Sequence, residues 1–384
     1  MVEGKKTPVS IILNIAPHYR EPIFRLMEKE FDCNWVFGEN KTDIPSSSKD
    51  FMKNVAFLPI IKKMKGFYTL KGWKSHIEYQ DAPEIVISLG EIKFIPSWIM
   101  MLKNRRKGRS KRKEIILWTH GLYGNEKGLQ KYLSRLFFRL ADKIIFYGER
   151  ARKFTLADGY NAQRTFVIHN SLDHGKFLSL RKKLESCSSE IIKNVKNQFK
   201  HSELPLLIYI GRLSLHKKID MLIKALHDLK NQGKNYNLLI VGDGPDRHHI
   251  LRLTDIMDLE ENIKLTGAIY DTEITAPMIY ASDACISPGH IGLTAIHSLE
   301  LGTPVITHDN FNKQAPEVEV IKPGINGELY KFGDPDSLKS SIISVTELSA
   351  QDRMKMRERC WASVEDWTPE FQIEVLKKAI EEIN

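Results

Sequence analysis

Short apolar, largely β-branched runs alternate with stretches of helical period along almost the whole chain. That alternation predicts parallel sheets covered by helices, an α/β fold. In the first half the predicted strands are VSIILNI from Val9, CNWVFG from Cys33, EIVISL from Glu84, EIILWTH from Glu114, KIIFYG from Lys143 and TFVIHN from Thr165. Helical spacing falls at residues 21–30, 95–103, 129–140 and 150–158, while residues 39–74 carry no clear period. A polar, serine-bearing segment at 181–203 predicts a linker with a surface helix. A second series follows: strands PLLIYIG from Pro205, YNLLIVGDG from Tyr236, NIKLTG from Asn262, DACISP from Asp283, TPVITH from Thr303 and NGELY from Asn326. Helices are predicted at 219–231, 247–257, 273–281, 293–301 and 336–348. A last helix starts at the Thr368-Pro369 signal.

A chain of 384 residues exceeds what one core comfortably organises, so two doubly wound domains are expected. No apolar run approaches the roughly 20 residues of a membrane span. The opening residues read as a first core strand rather than a signal peptide. Cys33, Cys187, Cys285 and Cys360 are scattered without a CxxC pair. That pattern predicts neither a disulfide framework nor a zinc site and suits a reducing compartment.

Charge changes the picture more than its total of +9. The first 180 residues carry 32 lysines and arginines against 18 acidic residues, the remainder 25 against 30. Eight basic residues and no acidic one lie between Lys103 and Lys113. A solvated loop is the commoner meaning of such a run. Here it follows the apolar FIPSWIMML from Phe94, and KKMKGFYTLKGWK from Lys62 adds further interleaved aromatics and lysines. The combination predicts contact of the first half with an anionic membrane surface, at about 1 kcal/mol per basic residue. No nucleic-acid-binding motif accompanies it, and no nucleic-acid partner is expected.

Doubly wound sheets bind ligands beyond the carboxyl ends of their strands. In the second half Arg212 and Lys217 follow PLLIYIG, a pair suited to a diphosphate, the arginine by its planar fork and the lysine as a point charge. Gly242 and Gly244 mark a tight turn, and a lone GxG is more often a turn than a nucleotide site. Gly267 opens a turn where backbone could approach a flat group. Gly289 and Gly292 bracket the turn before a helix at Leu293 and Thr294, whose N–H groups form a ready anion site. His290 lies in that turn, and His297 lies one helical turn on. In the first half His120 ends one strand, and His18 and Arg20 follow another.

GRLSLHKK, LLIVGDGPDR, NIKLTGAI and MIYASDACISPGHIGLTAIHSLELGTPVIT, in that order, resemble the donor-binding half of the family-4 retaining glycosyltransferases, including those of bacterial surface-polysaccharide synthesis. The likeness is dense from 206 to 329 and in the first half is carried by THG and VIHNSLD. It implies the GT-B fold, two Rossmann-like domains facing a cleft, with a final helix crossing back to the first. The expected domains are an acceptor-side, membrane-facing one at 1–178, a linker and surface helix at 179–204, a donor-binding one at 205–365, and the returning helix at 366–384. The resemblance also implies roles. Arg212 and Lys217 would hold the donor diphosphate. Gly292, Leu293 and Thr294 would cradle phosphate, Gly267, Ala268 and Ile269 would lie against the base, and His120 would sit near the donor sugar. The reaction implied is sugar transfer with retention, from a UDP- or GDP-linked donor, with no cofactor and no metal ion. Charge growing on the leaving diphosphate would make preorganised cations and N–H donors the main catalytic device.

The pattern departs from the family where two glutamates, separated by seven residues, usually stand. Here those places are Gly289 and His297, and Lys218 replaces a glycine. His297 is therefore a candidate for the ribose hydroxyls, His290 for the donor sugar, and Glu300 and Arg20 are further candidates. The leading expectation is a cytoplasmic enzyme, peripheral on the inner face of the plasma membrane, that extends a lipid-linked saccharide in surface-polysaccharide synthesis. The alternatives are another GT-B enzyme, such as a nucleotide-sugar epimerase, or a non-catalytic sugar-nucleotide-binding partner.

Overall fold

The computed structural model describes residues 6–40, 45–78, 81–108 and 112–381. The chain forms two compact units, one of Met1–Asp173 with Trp367–Asn384, the other of His174–Asp366.

In the first unit β1 (Pro8–Leu13), β2 (Asp32–Gly38), β3 (Asn54–Leu58), β6 (Ile85–Leu89), β7 (Glu114–Thr119), β8 (Lys143–Phe146) and β9 (Thr165–Val167) make one parallel sheet in the order β3-β2-β1-β6-β7-β8-β9. A small antiparallel pair, β4 (Ile60–Lys62) with β5 (Tyr68–Leu70), lies apart from it. Val9, Ile11, Ile12 and Leu13 are all buried because helices cover both faces of β1. Such strands read as continuous apolar runs. The helices are α1 (Glu21–Glu30), the short α2 (Lys74–Ile77), α3 (Ile95–Arg105), α4 (Gly128–Leu140) and α5 (Glu149–Ala157). The segment 39–74, which shows no period, thus supplies an edge strand and a hairpin.

In the second unit β10 (Leu206–Ile210), β11 (Asn237–Val241), β12 (Ile263–Gly267), β13 (Ala284–Ile286), β14 (Val305–His308) and β15 (Gly327–Tyr330) are all parallel, in the order β12-β11-β10-β13-β14-β15. Counted within the unit this is 3-2-1-4-5-6, the doubly wound dinucleotide-binding order. Its helices are α6 (His174–Ser186), α7 (Ser188–Lys196), α8 (Ile219–Asn231), α9 (Arg247–Ile256), α10 (Thr272–Tyr280), α11 (Thr294–Glu300), α12 (Pro335–Thr346) and α13 (Ala350–Ala362). The expected linker is instead the pair α6 and α7, packed on α10 and α11 within this unit. α13 has no counterpart among the predicted helices. The two departures differ in cause: α13 buries only Met356 and Cys360, so its apolar period is weak, whereas α7 is amphipathic but only nine residues long, with Val195 its one buried residue. Polar contacts hold both as well: the buried Asp283 carboxylate takes Leu206 N at 2.8 Å, Lys196 Nζ at 3.2 Å and the Arg353 guanidinium.

The final helix, α14 (Pro369–Glu381), belongs to the first unit and packs on α1. Leu376, Ala379 and Ile380 enter the core with Ile23 and Met27, and Gln372 Nε2 donates to His169 O at 2.8 Å.

Phe94, Met100 and Met101 of FIPSWIMML are core residues and Ile95, Trp98 and Ile99 are half-buried, which leaves Leu102 as the exposed apolar residue of that stretch. Of the basic run beside it, residues 109–111 lie outside the described residues. No helix among the described residues is long and apolar enough to cross a membrane.

Candidate functional site

In the second unit the strand order reverses between β10 and β13, and the loops that follow these two strands are locked together. Lys217 closes a single 3₁₀ turn, Leu215–Lys217, and its ammonium donates to the His290 carbonyl. Burial pushes the Lys217 pKa down. Thr294 Oγ1 reaches Ile210 O at 3.5 Å across the same junction. Gly289 sits so tightly that a Cβ there would lie 2.3 Å from His216 O and 2.8 Å from Lys217 Cα. Arg212 is exposed beside this junction, its carbonyl accepting from Tyr209 Oη at 3.0 Å. The predicted cations and the glycine turn therefore meet at the topological switch point, where ligands of such sheets bind.

Lys218 explains why a glycine is usual at its place. It adopts φ +53° and ψ +37° at the start of α8, left-handed backbone that costs a non-glycine residue about 1 kcal/mol. Its ammonium lies 4.0 Å from the centre of the Phe332 ring, a contact that offsets part of this. Gly242 and Gly244 are spacing residues: a Cβ would strike Gly211 O or Leu213 O, because the two loops zip together through Leu213 N to Asp243 O at 2.9 Å. Gly267 has φ +83° with open space around it, Ala268 is exposed and Ile269 half-buried. These three form a free rim at the end of β12.

The two histidines differ. His290 is half-buried, and burial followed by the nearby Lys217 charge lowers its pKa. His297 packs edge-on against Phe177 of α6, ring centres 4.9 Å apart, and its Nε2 is sealed without a hydrogen-bond partner. Burial alone pulls its pKa to about 4, so the imidazole is neutral at pH 7. Glu300, 1% exposed, accepts from or donates to His174 Nδ1 at 2.7 Å. His174, a partner 126 positions away, carries no local signal in the sequence. α6 thus covers both His297, the candidate for the ribose, and Glu300.

The first unit has a site of its own. Its strand order reverses between β1 and β6, and the ends of these strands and of β7 line a cavity of about 550 Å³. Arg20 and His120 both line it, with Trp118, Tyr19 and Tyr147 between them. The His120 ring lies 4.6 Å from that of Tyr147. The volume is that of an ordinary small-molecule pocket. The opposite wall comes from α4 through Gln130, Ser134 and Phe138.

Each parallel sheet thus has a switch point of the doubly wound kind, one with a lysine and a glycine turn locked together, the other with an aromatic-lined cavity. Residues 190–361 match the family model described as glycosyl transferases group 1. An uncharacterized glycosyltransferase of Methanocaldococcus jannaschii is 26% identical over 256 residues, 63% of this chain and 61% of its own length. A GDP-mannose-dependent phosphatidylinositol dimannoside mannosyltransferase of Mycobacterium tuberculosis is 35% identical over 104 residues, 26% of each chain. The chain thus spans less than two thirds of the length of these relatives. Its fold is GT-B: the structure of the lipopolysaccharide outer core galactosyltransferase WaaB matches 98% of this chain and 99% of its own with a TM-score of 0.69 at 16% identity.

Proposed function

We propose that this chain is a retaining glycosyltransferase that moves a hexosyl or related sugar from a nucleoside-diphosphate sugar to a lipid-linked saccharide. The observation that carries the reading is the junction of the loops after β10 and β13, where Arg212 and Lys217 stand beside the glycine turn at Gly289 inside the group 1 segment. In this reading the donor diphosphate lies against Arg212, Lys217 and the N–H groups of Gly292, Leu293 and Thr294. Its base rests on the rim from Gly267 to Ile269. The two cations carry the charge of the leaving diphosphate, and that oxyanion accepts the acceptor's proton. The cavity with His120 and Arg20 receives the acceptor. His297 serves the ribose only if Phe177 moves aside, and Glu300 acts through His174 rather than on the donor. A screen of UDP- and GDP-sugars tests donor use. The true donor at 100 times its dissociation constant is expected to raise stability by about 2.7 kcal/mol. A screen without any stabilising nucleotide sugar would exclude the reading.

The lipid-linked acceptor and a peripheral place on the inner membrane face, in surface-polysaccharide synthesis, are supported by α4. Leu129, Tyr132 and Leu136 recur at i, i+3 and i+7 and are 72%, 64% and 39% exposed. Lys131, Arg135 and Arg139 form the adjoining row at i, i+4 and i+8, with Arg135 paired to Asp158. An exposed apolar stripe edged by cations suits an anionic bilayer. The third face of the same helix lines the cavity, so a lipid tail on the stripe would leave its head group near the pocket. Replacing Leu129, Tyr132 and Leu136 by serine is expected to lower sedimentation with phosphatidylglycerol vesicles about tenfold or more, with folding intact. Unaltered sedimentation would remove the membrane from this reading.

A further inference from the structure

We infer that the cavity of the first unit is built to hold an oxyanion on the acceptor, a phosphate or a carboxylate, with Arg20 as the group that grips it. This rests on the glycosyltransferase reading and names the chemistry of its second substrate. The guanidinium carbon of Arg20 lies 5.0 Å from the ring centre of Tyr147, 5.6 Å from Trp118 and 6.0 Å from Tyr19. Among the described residues these rings are its recorded partners, and its Nε is buried without a hydrogen-bond acceptor. The Trp118 indole N–H beside it is buried and unmet as well.

Both groups can only donate. The local demand is therefore for an acceptor, and the protein's own carboxylates are committed elsewhere. Glu91 takes the Tyr68 hydroxyl at 2.6 Å, and Glu126 takes the backbone N–H groups of Tyr123 and Gly124 at 2.7 and 3.0 Å. Both line the same cavity, as does Lys93. Arg20 is half-buried: the aromatic wall lies against its guanidinium and Nε loses its water, which the ring contacts only partly offset. A planar fork held this way matches two oxygens of a phosphate or carboxylate. A neutral sugar would leave the charge unmatched. The acceptor's ring then shares the cavity with His120, whose ring lies 4.6 Å from that of Tyr147.

The test is calorimetric titration of the full chain carrying Arg212→Ala and Lys217→Ala, which removes phosphate binding at the donor junction. The probes are glucose 6-phosphate against glucose and methyl glucuronoside against methyl glucoside. Each anionic probe is expected to bind at least about tenfold more tightly than its neutral counterpart, and Arg20→Gln to abolish the preference. The stronger of the two preferences assigns the anion to a phosphate or to an acidic sugar. Equal affinities within each pair would overturn the proposal, as would an undiminished preference in a folded Arg20→Gln protein. If that variant does not fold, Arg20→Lys keeps the cation without the fork and is expected to weaken the preference about threefold or more. An unchanged preference there would also count against it. Parallel titration of the unaltered chain with nucleotide sugars separates the two failures. No donor binding discards the glycosyltransferase reading and leaves the anion site to its own result.

Discussion

Arg212→Ala and Lys217→Ala are each expected to lower kcat for sugar transfer by about a hundred- to a thousandfold, the usual loss when one preorganised donor to a developing oxyanion is removed. The two variants should differ in every other respect. Arg212 is exposed, so its loss should cost less stability than the loss of the half-buried Lys217. Lys217 is half-buried, and its ammonium ties the turn before α11 to the 3₁₀ turn after β10. Removing it leaves the His290 carbonyl without that donor, and a stability loss of about 1–3 kcal/mol is expected beside the loss of rate. Lys217→Arg keeps charge but cannot reproduce a compact contact in so tight a junction, and should recover little. Differential scanning calorimetry with single-turnover transfer assays separates these effects. Full turnover in both alanine variants would refute the assignment of the donor site. Binding of the donor without turnover in the unaltered chain would favour the non-catalytic alternative.

Physical reasons divide what the sequence reveals from what it hides. Central strands such as β1, β10 and β11 are buried on both faces, so each is a continuous apolar run bounded by turn residues. Edge strand β3 is half-buried and five residues long, and no period can emerge from NVAFL. α13 docks through a buried aspartate rather than an apolar stripe, and α7 is short and set among charged and serine residues, so their sequences look like surface and linker. The same division runs through the site. Arg212, Lys217 and the glycine turn follow strand ends, where the rule for doubly wound sheets directs attention. The cover that Phe177 and His174 give to His297 and Glu300 depends on contacts between α6 and α11, which no local pattern encodes. The unmet donors of Arg20 and Trp118 are equally a product of tertiary packing.

Gly289 carries the most counterintuitive prediction, because the resembled family places a glutamate there. Restoring that residue, Gly289→Glu, is expected to destroy donor binding rather than improve catalysis. A Cβ at this position would lie 2.3 Å from His216 O, 2.8 Å from Lys217 Cα and 3.0 Å from Lys217 C. All three are backbone atoms, so no flexible side chain can yield. The loop bearing Lys217 must move, and with it the ammonium on the His290 carbonyl. Even Gly289→Ala should cost about 1–3 kcal/mol as an overpacked site, and the glutamate variant should show no stabilisation by a nucleotide sugar. Gly267→Ala is the control: its φ of +83° carries strain, but nothing lies within 4 Å of the new methyl. It should lose only about 1 kcal/mol and retain donor-induced stabilisation. A Gly289→Glu protein as stable as the parent, or faster, would mean that the two loops part readily. The tight junction at the switch point would then not be the form in which the donor is held.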